Sequence, residues 1–113
     1  MSISIMAVSF DARDAAQLAQ FWAQVLHRTV NDGATEDSAS IPADTDGQQG
    51  PLLLFHKVAE DKTVKNRVHF DVVADAERLT NLGAKQIRSL AENGNRWIGF
   101  IDPDGNEFDL VAS

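Results

Sequence analysis

The sequence predicts an α+β fold made of two similar halves, each reading strand, helix, three strands. Three observations carry that reading. Two stretches with helical spacing or caps each follow a short apolar run, and the same order of elements returns in the second half. The chain has 113 residues, 43% of them hydrophobic and 24% charged, which is the size and balance of one globular domain. A chain of this length buries roughly two-thirds of its unfolded surface, so it can form a core without a disulfide or a structural metal.

Ile3, Ile5, Val8 and Phe10 make an apolar run that charge closes at Asp11, and a buried strand is expected over 3–10. Asp14 then caps a helix, with Gln17 at the capping-box position. Leu18, Phe21, Trp22, Val25 and Leu26 form its apolar face, and His27 and Arg28 stand where the helix dipole favours cations. Residues 31–50 hold Gly33, Pro42, Gly47 and Gly50 among acidic side chains, which is turn chemistry around at most two short strands. Leu52 to Val58 is a buried strand, and the charged stretch from Ala59 to Lys65 connects the halves. In the second half Val68 to Val73 is a strand. Asp75 caps a shorter helix through Leu79 and Leu82, and Gly83 ends it in a left-handed cap. Strands follow at Lys85 to Leu90, Arg96 to Ile101 and Glu107 to Val111, joined by turns at Glu92-Asn93-Gly94-Asn95 and Asp102-Pro103-Asp104-Gly105. The expected organisation is a single domain over 1–113, with module one about 1–58 and module two about 66–113.

Composition narrows the partners. Lys and Arg number 10 against 17 Asp and Glu, a formal net charge of −7, so a phosphate-binding basic face is hard to assemble and neither nucleic acid nor an anionic membrane surface is an expected partner. The chain has no cysteine, which removes disulfides, thiolate metal sites and cysteine nucleophiles and fits a cytoplasmic location. The apolar start lacks a basic flank and is broken by Ser4 and Ser9, so neither a signal peptide nor a membrane span is expected there.

Without cysteine, the three histidines are the strongest neutral-pH bases and metal ligands present. Strand alternation puts His69 and Asp71 on one face and Val68, Phe70 and Val72 on the other. If that polar face lines a cup, His69 is a ligand or acid/base candidate; otherwise it is a hydrogen-bonded surface histidine. Glu107 and Asp109 likewise share a face of the last strand, so one histidine and one carboxylate on separate strands could begin a divalent-metal site. His56 falls near a strand end and His27 at a helix end. Trp22, Trp97 and Phe100 are aromatic residues able either to stack on a ligand or to fill the core. The acidic turns at Asp44-Thr45-Asp46-Gly47 and Asp102 to Glu107 place glycine at the fourth position instead of the sixth, so they read as β-turns and not as calcium loops. No phosphate loop, dinucleotide fingerprint or nucleophile elbow occurs.

Taken together, the Phe21-Trp22 helix, the run Leu53-Leu54-Phe55, the stretch from Lys62 through Val68-His69-Phe70-Asp71-Val72 and the closing Trp97 to Leu110 segment with Asp-Pro-Asp-Gly-Asn-Glu-Phe resemble a glyoxalase-like domain. That domain belongs to the glyoxalase, bleomycin-resistance and extradiol-dioxygenase superfamily, also called vicinal oxygen chelate. The resemblance spans essentially the whole chain. It implies two paired βαβββ modules forming a curved mixed sheet around a pocket, commonly in a homodimer, with a metal held by residues of the first strand of each module and the last strand of a module. By position it makes His69 and Asp109 metal ligands, with Asp in place of the usual Glu. The first strand of module one offers only Ala7, or Ser4 in a shifted register, and nothing from Ile3 to Phe10 is His, Glu or Gln.

Two ligands are too few for a tight site. The leading expectation is therefore a small-molecule-binding protein without an obligatory metal, acting by sequestration or resistance-type binding or by metal-free chemistry. The ligand would be lined by His69, Asp71, Trp97, Phe100 and Asp109. The alternative is a lyase, isomerase or dioxygenase that binds nickel, zinc, manganese or iron through His69 and Asp109, with Glu107 or His56 as the catalytic group that moves a proton.

Overall fold

The computed structural model describes residues 3–44, 50–92 and 95–111. Thr45, Asp46 and Gly47 of the first acidic turn, and Asn93 and Gly94 of the expected hairpin turn, lie outside the described residues. The chain divides into two compact units, Met1–Glu60 and Asp61–Ser113.

The first unit contains β1 (Ala7–Ala12), α1 (Ala15–Leu26), β2 (Ser38–Ile41) and β3 (Leu52–Lys57). Helix α1 starts where Asp14, in extended conformation, accepts the Gln17 N–H on its side chain at 3.1 Å. It buries Leu18, Phe21, Trp22 and Val25, the face that the spacing predicts, and ends at His27 in a left-handed conformation with φ 55°. In the sheet, of order β1-β3-β2, β1 runs parallel to β3 from Ala7 opposite Leu52 to Ala12 opposite Lys57, and β2 runs antiparallel to β3. Alternation gives Val8, Phe10, Ile41, Leu53 and Phe55 to the helix side, where the Phe10 ring stacks on Phe55 at 5.0 Å and meets Trp22 at 5.8 Å. Ala7, Ser9, Asp11, Leu54 and His56 take the open side.

Two differences from the expected boundaries have physical causes. The first strand begins at Ala7 because β3 offers a partner only from Leu52 onward; Ile3, Ile5 and Met6 stand 98, 85 and 74% exposed. Among the described residues two strands follow α1. Where another would run beside β2, Asn31 bridges to Ser40, through its backbone N–H at 2.9 Å and its side chain at 2.8 Å, and the Thr35 N–H donates to the Ser38 carbonyl at 2.8 Å without forming a strand. Gly33, at φ 90°, then turns the chain away, in a segment with no alternating apolar residues to hold a strand.

The second unit contains β4 (Asp71–Val73), α2 (Ala76–Leu82), β5 (Lys85–Glu92), β6 (Asn95–Ile101) and β7 (Glu107–Val111). Asp75 caps α2 by accepting the Glu77 N–H at 2.9 Å, and Gly83 closes it at φ 114°. The sheet order is β4-β7-β6-β5, with β4 parallel to β7 and both hairpins antiparallel. One face is core: Val72, Phe100, Phe108 and Leu110 are buried, and the rings of Phe100 and Phe108 stack at 5.8 Å. The β6–β7 turn is organised by Asp102, only 2% exposed, whose carboxylate accepts the backbone N–H groups of Asp104 and Asn106 at 2.9 Å each and the Asn106 amide at 3.0 Å. That turn fixes the register in which Asp109 stands opposite Gly99. Residues 61–70 form no helix or strand, so the strand expected from Val68 is regular only from Asp71.

Candidate functional site

The open face of the second sheet collects the polar side chains that the core face excludes. Parallel pairing sets Asp71 directly beside Asp109, and the Asp109 N–H extends the pairing by donating to the Phe70 carbonyl at 2.9 Å. His69, two residues before Asp71, points to the same side. Its Nδ1 lies 3.3 Å from Asp71 Oδ1 and 3.7 Å from Asp109 Oδ2, and one ligand atom from each of the three residues falls within 4.8 Å of the others. The side chains are accessible, at 35% for His69, 49% for Asp71 and 21% for Asp109, so an ion or ligand can reach them.

These residues suit a divalent cation. Metal–ligand bonds of about 2.1 Å put neighbouring donor atoms about 3 Å apart, close to the two histidine–carboxylate separations. One imidazole with two carboxylates is a donor set that zinc, manganese, iron or nickel accepts.

The other expected site residues divide. Glu107 lies on the same strand face as Asp109, but its carboxylate is engaged: it accepts from the Lys62 ammonium at 2.9 Å and from the Asn66 N–H at 2.9 Å, and it fastens the 62–66 segment to β7. Burial works to raise its pKa, yet these donors outweigh burial and hold the carboxyl below the ordinary glutamate value. Trp97, half-buried and opposite Val111, shares the face of Asp109. Phe100 was expected beside a ligand, but it lies on the opposite face, 0% exposed against Phe108, and belongs to the core. His56 is exposed on the first unit, where β3 pairs it with Asp11 of β1 and Ser38 of β2.

Asp71 is the residue whose place in this cluster the sequence understated. Its signal was the His-x-Asp alternation, but its place beside Asp109 depends on a pairing between the first and last strands of the module.

A family model of the glyoxalase-like domain matches residues 7–111. The chain belongs to that family. With it comes membership of the vicinal oxygen chelate superfamily. No curated protein matches the chain in sequence. Among solved structures, the glyoxalase-like chain is similar to the genomically encoded fosfomycin resistance protein FosX from Listeria monocytogenes, with TM-score 0.71 and 14% identity over 100% of this chain and 95% of that one. A mutant of the same FosX, solved with Mn(II) and 1S,2S-dihydroxypropylphosphonic acid, gives TM-score 0.71 and 14% identity over 98% of this chain and 90% of that one. The oxidase ChaP-H2 is similar at TM-score 0.66 and 16% identity, over 100% and 95% of the two chains. At these identities the likeness carries the fold. Within the glyoxalase-like fold, the first strand of the first unit presents Ala7, Ser9 and Asp11 on its open side, with no histidine or glutamate among them.

Proposed function

We propose that this glyoxalase-like protein binds a divalent metal through His69, Asp71 and Asp109, and beside it a small organic molecule with adjacent oxygens. The observation that carries the reading is the convergence of the three side chains, His69 Nδ1 lying 3.3 and 3.7 Å from the two carboxylates. Two ligands argued against an obligatory metal; Asp71 as a third changes that balance. FosX, bound to Mn(II) and a vicinal diol, is a precedent in the same fold.

When bound, the metal supplies a Lewis acid for substrate oxygens. The rest falls to the chain. The two carboxylates orient the His69 imidazole, and Trp97 offers an aromatic wall on the same face. Glu107 is held by Lys62 and Asn66 and so serves the frame and not proton transfer. A second reading, metal-free sequestration of a small molecule, draws support from the ligand-poor open face of β1. Under either reading we take the protein to be a cytoplasmic homodimer: it has no cysteine, and exposed Ile3, Ile5 and Met6 form an apolar stretch suited to a second copy.

The test is metal content by mass spectrometry, followed by calorimetric titration with nickel, zinc, manganese and ferrous iron. One equivalent bound at micromolar affinity or better, lost in His69→Ala and weakened at least tenfold in Asp71→Asn, is the expected result. No binding of any of the four metals would overturn the metal reading in favour of sequestration.

A further inference from the structure

Beyond the three clustered side chains, the same row of the sheet continues to a cation. Register places Asp71 opposite Asp109, Asp109 opposite Gly99, and Gly99 opposite Arg88, so one line across all four strands carries two carboxylates, a glycine and an arginine. Arg88 reaches this row through a β-bulge. Regular pairing from Gln86 opposite Phe100 would set Arg88 opposite Ile98, on the core side of the sheet; the register shift between Gln86 and Arg88 puts it opposite Gly99 instead. An inserted residue of this kind re-aims a side chain to the other face.

Gly99 explains how the arginine lies there. A Cβ at position 99 would stand 2.9 Å from Arg88 Cγ, closer than real Cβ atoms come, and 3.3 Å from its Nε, tighter than most such contacts. The arginine stem therefore crosses the strand next to Asp109, over a position that only glycine leaves open. Arg88 is exposed, and among the described residues no ion pair joins it to a carboxylate.

We propose that Arg88 is an anion-binding residue of this site. The ligand carries a carboxylate or phosphonate that rests on the guanidinium above Gly99, while its neighbouring oxygens face His69, Asp71 and Asp109. A guanidinium presents paired donors that fit an oxyanion. The placement of the oxygens rests on the metal reading above; the anion contact does not.

The experiment compares three probes by calorimetry, with and without Mn(II): 3,4-dihydroxybenzoate, its neutral amide, and 1,2-dihydroxypropylphosphonate. The wild-type protein is expected to bind at least one anionic probe about tenfold to a hundredfold more tightly than the amide, the range of a charge-assisted hydrogen bond. Arg88→Gln should erase that preference and leave Mn(II) affinity unchanged, with Arg88→Lys recovering part of it. Gly99→Ala, which displaces the arginine without removing its charge, should also weaken the anionic probes. The carboxylate and phosphonate arms report which oxyanion the site favours. Equal binding of charged and neutral probes, an unaltered preference in Arg88→Gln, or no binding of either anion would overturn the proposal. Loss of Mn(II) binding alone would overturn the metal reading, and the metal-free titrations would then decide the role of Arg88.

Discussion

The carboxylate of Glu107 sits under partial cover, where desolvation alone would favour its neutral form. The Lys62 ammonium and the Asn66 N–H reverse that preference, so its pKa in the folded chain lies below the ordinary value of 4.5. A lowered pKa means that the unfolded chain takes up the proton first on acidification. The stabilisation is present in full above the unfolded value and is lost as pH falls through the lower, folded one. Urea denaturation of Glu107→Gln should therefore show a loss of about 1–2 kcal/mol near neutral pH that shrinks in acid as the wild type loses the same interaction. His69 and Asp109 could be found from strand alternation alone. Phe100 could have been assigned to the core in the same way: it is an odd number of positions from Trp97, so a strand must turn the two rings to opposite faces. The place of Asp71 beside Asp109 needed the register of a distant strand, which no local pattern encodes.

Helix ends were the most legible elements, because a cap is a short-range transaction between a side chain and the next turn. Asp14, Asp75 and Gly83 all occupy the cap positions that their residue types predict. Gly83→Ala places a Cβ at φ 114° and should cost about 1 kcal/mol, read as a lower urea midpoint. His27 is the converse case, a β-carbon held at φ 55° at the end of α1, so His27→Gly should raise stability by about 0.5–1 kcal/mol. Strand limits were less legible, since a strand exists only where a neighbour supplies its hydrogen bonds. Ile3 and Ile5 have strand composition but pair with no strand among the described residues, and Val68, 83% exposed, likewise stands outside β4. The bulge that turns Arg88 is equally silent in sequence; it is defined by the residues opposite.

At the scale of the whole chain, the same strand order appears in both units, with the first strand beside the last and parallel to it. The repeat of elements in the sequence announced that symmetry, although the bridge at Asn31 makes the first unit its shorter version. A metal that binds only the folded site adds about 2.7 kcal/mol at a hundredfold excess over its Kd. Differential scanning calorimetry should accordingly show a higher Tm with Mn(II) than with EDTA, and no difference in His69→Ala. The parallel pairing of β4 with β7 has one more effect, on the timing of folding. Asp71 and Asp109 come together only after the intervening helix and hairpins have been traversed, and such distant pairings face a high closure entropy. Interactions completed after the transition state alter the escape rate from the native basin far more than the rate of entry. Stopped-flow measurements with Mn(II) should thus show a lowered unfolding limb and an unchanged refolding limb, so that ion supply would govern how long each folded molecule persists and not how quickly it forms.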